Sequence, residues 1–135
     1  GWQIRYAKNG NKELEISFYE GKKDGKWTYF FDNQKIARSE EWNKGEKEGA
    51  FKTFNNMDLL ISEQYYKKGK PMGIHKEYYP DGREKHVRVY SKKNILEEEY
   101  AFDDYGVKQV IKARETKEMK KKKKKAKGKD NSLMN

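Results

Sequence analysis

Several classes of protein are excluded by what this chain lacks. It contains no cysteine, which rules out disulfide bonds and thiolate metal sites and leaves the redox compartment undecided. No apolar run approaches the roughly 18 residues of a membrane-spanning helix, and no signal peptide is visible. The chain begins with Gly1 rather than Met. Localisation therefore stays unknown: the cytoplasm is favoured, and export is the alternative if an N-terminal segment is missing.

Sequence patterns of catalytic and cofactor-binding sites are also missing. The chain has neither the P-loop pattern nor GxGxxG, and its serines lack the surroundings of a nucleophile elbow. Its acidic pairs are interleaved with lysine, as on a solvated surface. His75 and His86 have no third ligand at metal-site spacing. The sequence therefore predicts a non-enzymatic protein with no catalytic residues, cofactor, metal or small-molecule substrate.

Apolar residues are scarce, and this limits the core that the chain can form. Hydrophobic residues make up 33% of the chain, charged residues 40%, and the mean hydropathy is −1.36. Such values are typical of disordered chains. The aromatic content of 14% argues for order, because disordered segments are poor in aromatic residues. We therefore expect a thin, elongated, ordered body without a large central core.

Glycine and aromatic residues recur every 24 residues, which is the mark of a repeat architecture. Two series of glycines are Gly1, Gly25, Gly49, Gly73 and Gly21, Gly45, Gly69. Two series of aromatic residues are Tyr6, Phe30, Phe54, Tyr78, Phe102 and Phe18, Trp42, Tyr66, Tyr90. The repeat units start at positions 1, 25, 49, 73 and 97.

Each unit has the composition of two short strands joined by two turns. In the second unit, residues 25–31 and 36–42 are rich in β-branched and aromatic residues. Residues 32–35 form the first turn, and residues 43–49 form a longer second turn with glycine at each end. Alternation places Phe30 and its equivalents on one side of the sheet, where we expect a structural row of rings. The opposite side varies between units.

The repeat resembles the MORN-repeat family, specifically the bacterial MORN-variant repeats. The family pattern is aromatic-x-x-G-x-x-x-G-x-W-x-x-Y, matched here by Phe18-Tyr-Glu-Gly21-Lys-Lys-Asp-Gly25-Lys-Trp27-Thr-Tyr-Phe30 and again over residues 42–54 and 66–78. The resemblance covers roughly residues 1–111. The Trp position departs from the pattern at Phe51, His75 and Glu99. The resemblance implies a slightly curved, single-layer sheet and a binding or scaffold role, often as an antitoxin or immunity protein whose partner is a toxin.

We therefore predict an all-β fold, a single-layer antiparallel meander of about four and a half hairpin repeats. Residues 1–113 form the array, with a final strand over residues 107–113. Residues 114–135 form a lysine-rich tail that is either a short helix or disordered. Like charges four residues apart oppose a helix at Lys120–Lys125, and we expect disorder from about Lys127.

The net charge of +10 is concentrated in this tail. Residues 116–135 contain nine lysines and two acids, whereas the body is nearly balanced. The tail has three interpretations: docking on anionic lipid, contact with nucleic-acid phosphates, or a solubilising segment without a partner, which is favoured. The lysines concerned are Lys120, Lys121, Lys122, Lys123, Lys124 and Lys125.

A concentration of aromatic residues predicts the partner-binding site. We expect these residues to be exposed, and Trp and Tyr are typical anchors of interfaces. They are Trp27, Tyr29, Phe31, Trp42, Tyr65 and Tyr66. Alternatively, one face is the core row and the other is covered by the C-terminal segment or a second copy. The predicted function is a repeat scaffold that binds a partner protein, with an adaptor acting through the basic tail as the alternative.

Overall fold

Antiparallel strands make up almost all of the body in the computed structural model, which describes the backbone of residues 1–134 and the side chains of residues 1–128. The strands are β1 Trp2–Tyr6, β2 Lys12–Tyr19, β3 Lys22–Lys23, β4 Gly25–Phe30, β5 Ile36–Asn43, β6 Glu46–Lys47, β7 Gly49–Phe54, β8 Leu60–Lys67, β9 Lys70–Pro71, β10 Gly73–Tyr78, β11 Glu84–Tyr90, β12 Leu96–Phe102 and β13 Lys108–Lys112. One helix follows, α1 Lys117–Met134.

The strands form one sheet in the order β1-β2-β4-β5-β7-β8-β10-β11-β12-β13. Neighbours in this order are also neighbours along the chain, apart from the two-residue strands β3, β6 and β9, which pair with β2, β5 and β8. The predicted all-β antiparallel meander is confirmed, including a final strand and a helical tail. The final strand is slightly shorter than predicted, at Lys108–Lys112.

The second turn of each of the first three units is a tight hairpin rather than one long turn. Its two central residues both have positive φ, 49° and 76° at Glu20 and Gly21, as a type I′ turn requires. The short strand β3 then pairs with the end of β2, and the chain bends at Gly25, where φ is 79°. Lys44–Gly45 and Lys68–Gly69 repeat this geometry. The series Gly21, Gly45, Gly69 therefore forms the tight turns, and Gly25 and its equivalents form the bends that follow them.

Successive second turns are bonded to one another. Gly45 N donates to Lys23 O at 2.7 Å, and Gly69 N donates to Lys47 O at 2.9 Å. The next turn lacks the glycine pair, and here the side chain of Asn94 donates through Nδ2 to Pro71 O at 2.9 Å. The turns are thus connected along one side of the sheet. At the last connection the side chain of Asn94 replaces the backbone donor of the earlier turns.

The two faces of the sheet follow from the register, because residues paired across antiparallel strands point to the same side. The ladder face carries Phe18, Trp27, Trp42, Phe51, Tyr66, His75 and Tyr90. The open face carries Tyr6, Phe30, Phe54, Tyr78 and Phe102. The rows predicted from alternation are therefore present in the structure.

The sequence predicts that Phe30 and its equivalents form the structural row of rings, and this prediction was wrong. Rings of the open face are half-buried or exposed, whereas Trp27, Phe51 and His75 on the ladder face are 7%, 4% and 7% exposed. Trp42 lies opposite Gly25 and Tyr66 lies opposite Gly49. A ring opposite a residue without a side chain has room to lie across the sheet, which explains why packing develops on this face.

The prediction that the lysine run opposes helix formation was also wrong, because α1 continues through Lys120–Lys125 and Lys127. Lysine is a good helix former, and like-charge pairs cost only about 0.2–0.5 kcal/mol each. Thr116 Oγ1 accepts a hydrogen bond from Met119 N at 3.2 Å, a capping contact at the start of the helix. The disorder prediction for the final residue, Asn135, lies outside the described residues.

Candidate interaction surfaces

The ladder face contains a line of rings in edge-to-face contact. Trp42, Phe51, Tyr66, His75 and Tyr90 follow one another with ring centroids 5.4, 5.2, 5.4 and 4.8 Å apart. Phe18 and Trp27 form a separate pair at 5.2 Å. Such contacts contribute about 0.5–1.5 kcal/mol each beyond the burial of apolar area. The ladder is therefore the main packing unit of the sheet.

Lysines from the short strands cover the ladder. Lys23 Nζ lies 4.3 Å from the Trp27 ring and 4.4 Å from the Trp42 ring, which joins the two ring groups. Lys47 Nζ lies 5.0 Å from Phe51 and 4.6 Å from the Tyr66 ring. These are cation–π distances. The rings of the ladder are therefore engaged with one another and with two ammonium groups.

Ring nitrogens of the ladder bond to the neighbouring backbone. Trp27 Nε1 donates to Ser17 O at 2.8 Å, and His75 Nε2, two repeats later, lies 2.8 Å from the equivalent acceptor, Tyr65 O. Burial lowers the pKa of His75, opposed by its backbone hydrogen bonds to Tyr65 and Met72. The lowered pKa favours the neutral imidazole at a position that carries tryptophan in the second unit.

The six predicted contact residues do not form one exposed cluster, so the prediction that they are exposed was wrong. Trp27 is buried, and the other five are half-buried. Trp27, Trp42 and Tyr66 belong to the ladder, and Tyr29 shares their face. Tyr65 lies on the opposite face, because it pairs with Ala50. Their role in partner binding stays a prediction.

Charged residues of the ladder face are paired within the sheet. Glu40 is 3% exposed, contacts Arg38 Nε at 2.5 Å and accepts a hydrogen bond from Trp42 Nε1 at 3.0 Å. Glu99 accepts from His86 Nε2 at 2.7 Å and from Arg88 Nε at 3.0 Å. Burial raises the pKa of Glu99, but these two donors outweigh it and lower the pKa overall.

No group of three or more His, Cys, Asp or Glu side chains that could hold a metal is found among residues 1–128. His75 and His86 lie on the paired strands β10 and β11. Each is bonded to a different acceptor, a backbone carbonyl for His75 and a carboxylate for His86. Their contacts give both histidines a structural role.

The open face exposes apolar side chains on several strands. The aromatic side chains of Phe30, Phe54, Tyr78 and Phe102 are half-buried, whereas Tyr6 is 61% exposed. The exposed apolar residues of this face include Trp2, Ile4, Tyr6, Ile36, Ile74 and Val110. None of these residues is among the six contact residues predicted from the sequence. For Ile36 and Ile74, the available signal was their place on the same side as Phe30 and Tyr78. The described residues provide no second layer over this face.

A polar cluster lies among these apolar residues. Tyr78 Oη donates to Glu63 Oε1 at 2.7 Å, and Tyr65 Oη lies 3.4 Å from Glu63 Oε2. Burial, together with the hydrogen bond to Glu63, raises the pKa of Tyr78. Lys76 pairs with Glu84 at 2.7 Å beside it. The face thus combines apolar area with hydroxyl and charged groups, as protein interfaces do.

A groove of about 610 Å³ lies at the C-terminal end of the body. Its lining comes from the loop between β11 and β12, the end of β13 and the first turns of α1: Ser91, Lys92, Lys93, Ile95, Leu96, Glu97, Lys112, Arg114, Glu115 and Lys120. The lysines of Lys120–Lys125 are exposed, and Lys123 pairs with Glu115. Within the described residues, no helix is long and apolar enough to span a membrane.

Comparisons with known proteins do not assign a family. No protein-family model and no curated protein matches the chain. One solved structure, the GtfA/B complex bound to UDP and GlcNAc, is similar over 84% of this chain and 24% of that chain. The two are 15% identical with a TM-score of 0.34. The chain thus spans about a quarter of that structure, at a similarity too low to indicate function.

Proposed function

We propose that this protein is a non-enzymatic repeat scaffold that binds a partner protein through the open face of its sheet. The observation that carries the proposal is the exposure of Trp2, Ile4, Tyr6, Ile36 and Ile74 on one face of a single-layer sheet. Trp2, Ile4 and Tyr6 lie together on β1, and Ile36 and Ile74 lie on β5 and β10, with the half-buried rings of Phe30 and Phe54 on β4 and β7 of the same face. Apolar surface of this kind, here called the patch, marks interaction sites on soluble proteins. The aromatic members of the patch are of the type that anchors interfaces.

The ladder face supports binding less well. Its central rings contact one another, and Lys23 and Lys47 cover them. A partner that docked there would displace ammonium groups from rings that they already contact. On the open face, Lys12 Nζ lies 5.1 Å from the Phe30 ring and Lys108 Nζ lies 4.0 Å from the Tyr100 ring. Within residues 1–128 no cation lies over the rings of Trp2, Tyr6, Phe54 or Tyr78, so most rings of this face are uncovered. The resemblance described above suggests a toxin as the partner protein, and this forms part of the proposal.

Site-specific photo-crosslinking in cells tests which face binds. A benzophenone side chain is placed at Ile36 or Ile74 on the open face and, as the matched control, at Tyr29 or Thr53 on the ladder face. We expect one discrete protein adduct from the open-face positions and none from the control positions. Adducts from the ladder face alone would instead support the contact residues predicted from the sequence. Adducts from neither face would contradict the scaffold proposal.

The captured protein is then titrated against three variants. Ile36→Thr and Ile74→Thr remove exposed apolar groups and retain β-branched side chains that fit a strand. We expect each to weaken binding by about tenfold, the effect of a moderate interface contact. Tyr29→Thr, on the ladder face, should leave the affinity unchanged. A toxin partner would also inhibit growth when expressed alone and not when expressed with this protein.

A further inference from the structure

The groove at the C-terminal end lies where the repeat pattern changes. Positions equivalent to the glycines of the second turn are Lys93 and Glu97. The connection from β11 to β12 is therefore a compact loop, with Ser91 N donating to Ile95 O at 2.9 Å and Asn94 at φ 65°. It lacks the short hairpin strand that β3, β6 and β9 provide elsewhere. The space left beside this loop is the groove.

Cations outnumber anions in the lining of the groove. Lys92, Lys93, Lys112, Arg114 and Lys120 face two acids, Glu97 and Glu115. Both acids are already paired, Glu97 with Arg114 at 3.0 Å and Glu115 with Lys123 of the helix. Lys112 Nζ donates to Leu96 O at 2.6 Å. Glu115 also interacts electrostatically with Lys112 and Lys120, so the two acids compensate only part of the positive charge of the groove.

Three lysines of the groove are available to a ligand. Lys92, Lys93 and Lys120 are exposed, and their ammonium groups donate no hydrogen bond to residues 1–128. Lys120 lies in the first turns of α1, and Lys121–Lys125 and Lys127 continue the positive surface along the helix. A helix of 18 residues is roughly 27 Å long. Positive charge thus continues from the groove along α1, where Glu118 is the one acid among residues 117–128.

We propose that the groove and α1 together bind the phosphate backbone of a nucleic acid. A polymer with a charge on every unit can occupy the concave groove and follow the helix, and each lysine that neutralises a phosphate releases a bound counterion. A flat bilayer cannot enter the groove, so Lys92 and Lys93 would contribute little to a membrane contact. No aromatic side chain lines the groove. Base stacking is therefore absent, and binding is independent of sequence.

Fluorescence anisotropy with the full chain tests the proposal. The probes are a labelled single-stranded 20-nucleotide DNA of mixed sequence and its duplex, titrated at several salt concentrations. We expect a dissociation constant on the order of 10⁻⁵ M at physiological salt and similar affinity for a second sequence. Vesicles of phosphatidylcholine with phosphatidylserine serve as the comparison. Vesicle binding without DNA binding, or binding to neither probe, overturns the proposal.

A matched pair of triple variants tests the groove. The groove variant carries Lys92→Ser, Lys93→Ser and Lys120→Ser, and the control variant carries Lys8→Ser, Lys67→Ser and Lys70→Ser, which are exposed lysines of the body. Both lose the same charge. We expect the groove variant to bind single-stranded DNA at least tenfold more weakly, with its salt slope reduced by about 2, and the control to change less than about twofold. Equal weakening in both variants overturns the assignment to the groove.

Discussion

At the scale of single residues, one ladder position is occupied by three different rings in successive units. Trp27, Phe51 and His75 are equivalent in the repeat and are all buried. The two with a ring nitrogen bond to a backbone carbonyl, and the phenylalanine relies on ring contacts alone. In the next unit the same position is Glu99, whose carboxylate accepts from His86 and Arg88 instead of packing as a ring. The ring contacts are therefore the shared feature of the three ring-bearing units, and the bond to the backbone is an addition in two of them.

His75 makes the stability of the sheet depend on pH. Burial lowers the pKa of the folded imidazole below its ordinary value of 6.5. Protonation therefore favours the unfolded chain, so the contribution of His75 is present above pH 6.5 and is lost as the pH falls below it. We expect His75→Phe to lose less free energy of unfolding between pH 7.5 and 5.5 than the wild type, measured by urea denaturation.

His75→Trp is the matched control, because it restores a ring N–H at the position where Trp27 donates to Ser17 O at 2.8 Å. It should share the weaker pH dependence of His75→Phe. If both variants retained the full pH dependence of the wild type, the source would lie in other groups, and the neutral state assigned to His75 would be wrong.

Two glycines at equivalent bends should differ in their tolerance of a side chain. Gly49 and Gly73 have φ of 107° and 75°. At both positions the positive φ alone makes alanine about 1–2 kcal/mol less favourable than glycine. A Cβ at Gly49 would also lie 1.9 Å from Glu41 Oε2, which accepts from Ala50 N at 2.9 Å, whereas a Cβ at Gly73 meets no atom within 4 Å.

We therefore expect Gly49→Ala to reduce the free energy of unfolding by roughly 1 kcal/mol more than Gly73→Ala, the value of the lost hydrogen bond. Thermal and urea denaturation of the two variants provide the measurement. Adding Glu41→Ala to both should remove most of the difference. Equal losses in the two single variants would mean that Glu41 moves aside without cost.

At the scale of elements, the two faces of one strand differ in how tightly their rings are packed. Phe51 and Phe54 lie on the same strand, β7, but on opposite faces. Phe51 is 4% exposed between Trp42 and Tyr66. Phe54 is half-buried on the open face, opposite Leu60.

Phe51→Ala should therefore cost about 3–5 kcal/mol, the range for a buried phenylalanine, and Phe54→Ala clearly less. Urea denaturation measures both changes. Under the function proposed above, Phe54→Ala should in turn weaken partner binding in a variant that is still folded. A larger loss of stability for Phe54→Ala than for Phe51→Ala would show that the open face, as predicted from the sequence, is the main packing face.

The elements themselves could be predicted from the sequence, and the packed face could not. Glycine spacing and alternation locate the strands, since both follow from backbone conformation and side-chain period. In the second unit, however, both faces carry aromatic residues, Phe30 on one and Trp27 and Tyr29 on the other. What distinguishes them is the Gly25–Trp42 pairing and the position of Lys23 over the rings. Both depend on register between strands, which composition does not specify.

The groove escaped prediction for a related reason. Replacement of the glycine pair by Lys93 and Glu97 is visible in the sequence as an interruption of the 24-residue spacing. Its consequence, a space between a loop, the end of β13 and α1, depends on three segments that meet only in the folded chain. For the lysine-rich tail the sequence left a short helix and disorder as alternatives. The helix extends through Lys120–Lys125 because the helix propensity of lysine outweighs the small like-charge repulsions.

At the scale of the whole molecule, the sheet is a one-dimensional array in which each hairpin contacts its neighbours only. Stability in such an array is roughly a sum of unit and interface terms, so the ends have fewer supporting contacts than the centre. Every residue of β1 and β13 is exposed, whereas the buried apolar side chains Ile16, Trp27, Phe51 and Val87 lie between them.

Hydrogen exchange should therefore reveal a gradient along the array. Amides of β4 to β10 should exchange most slowly, through opening of the whole ladder, and amides of β1 and β13 fastest, through local opening at the edges. Phe51→Ala should accelerate exchange across β4 to β10 together, because it interrupts the line of rings between Trp42 and Tyr66. The measurement is native-state exchange followed by mass spectrometry of peptides. Acceleration confined to β7 and β8 would show that the hairpins open independently, and the ladder would then not be the element that couples them.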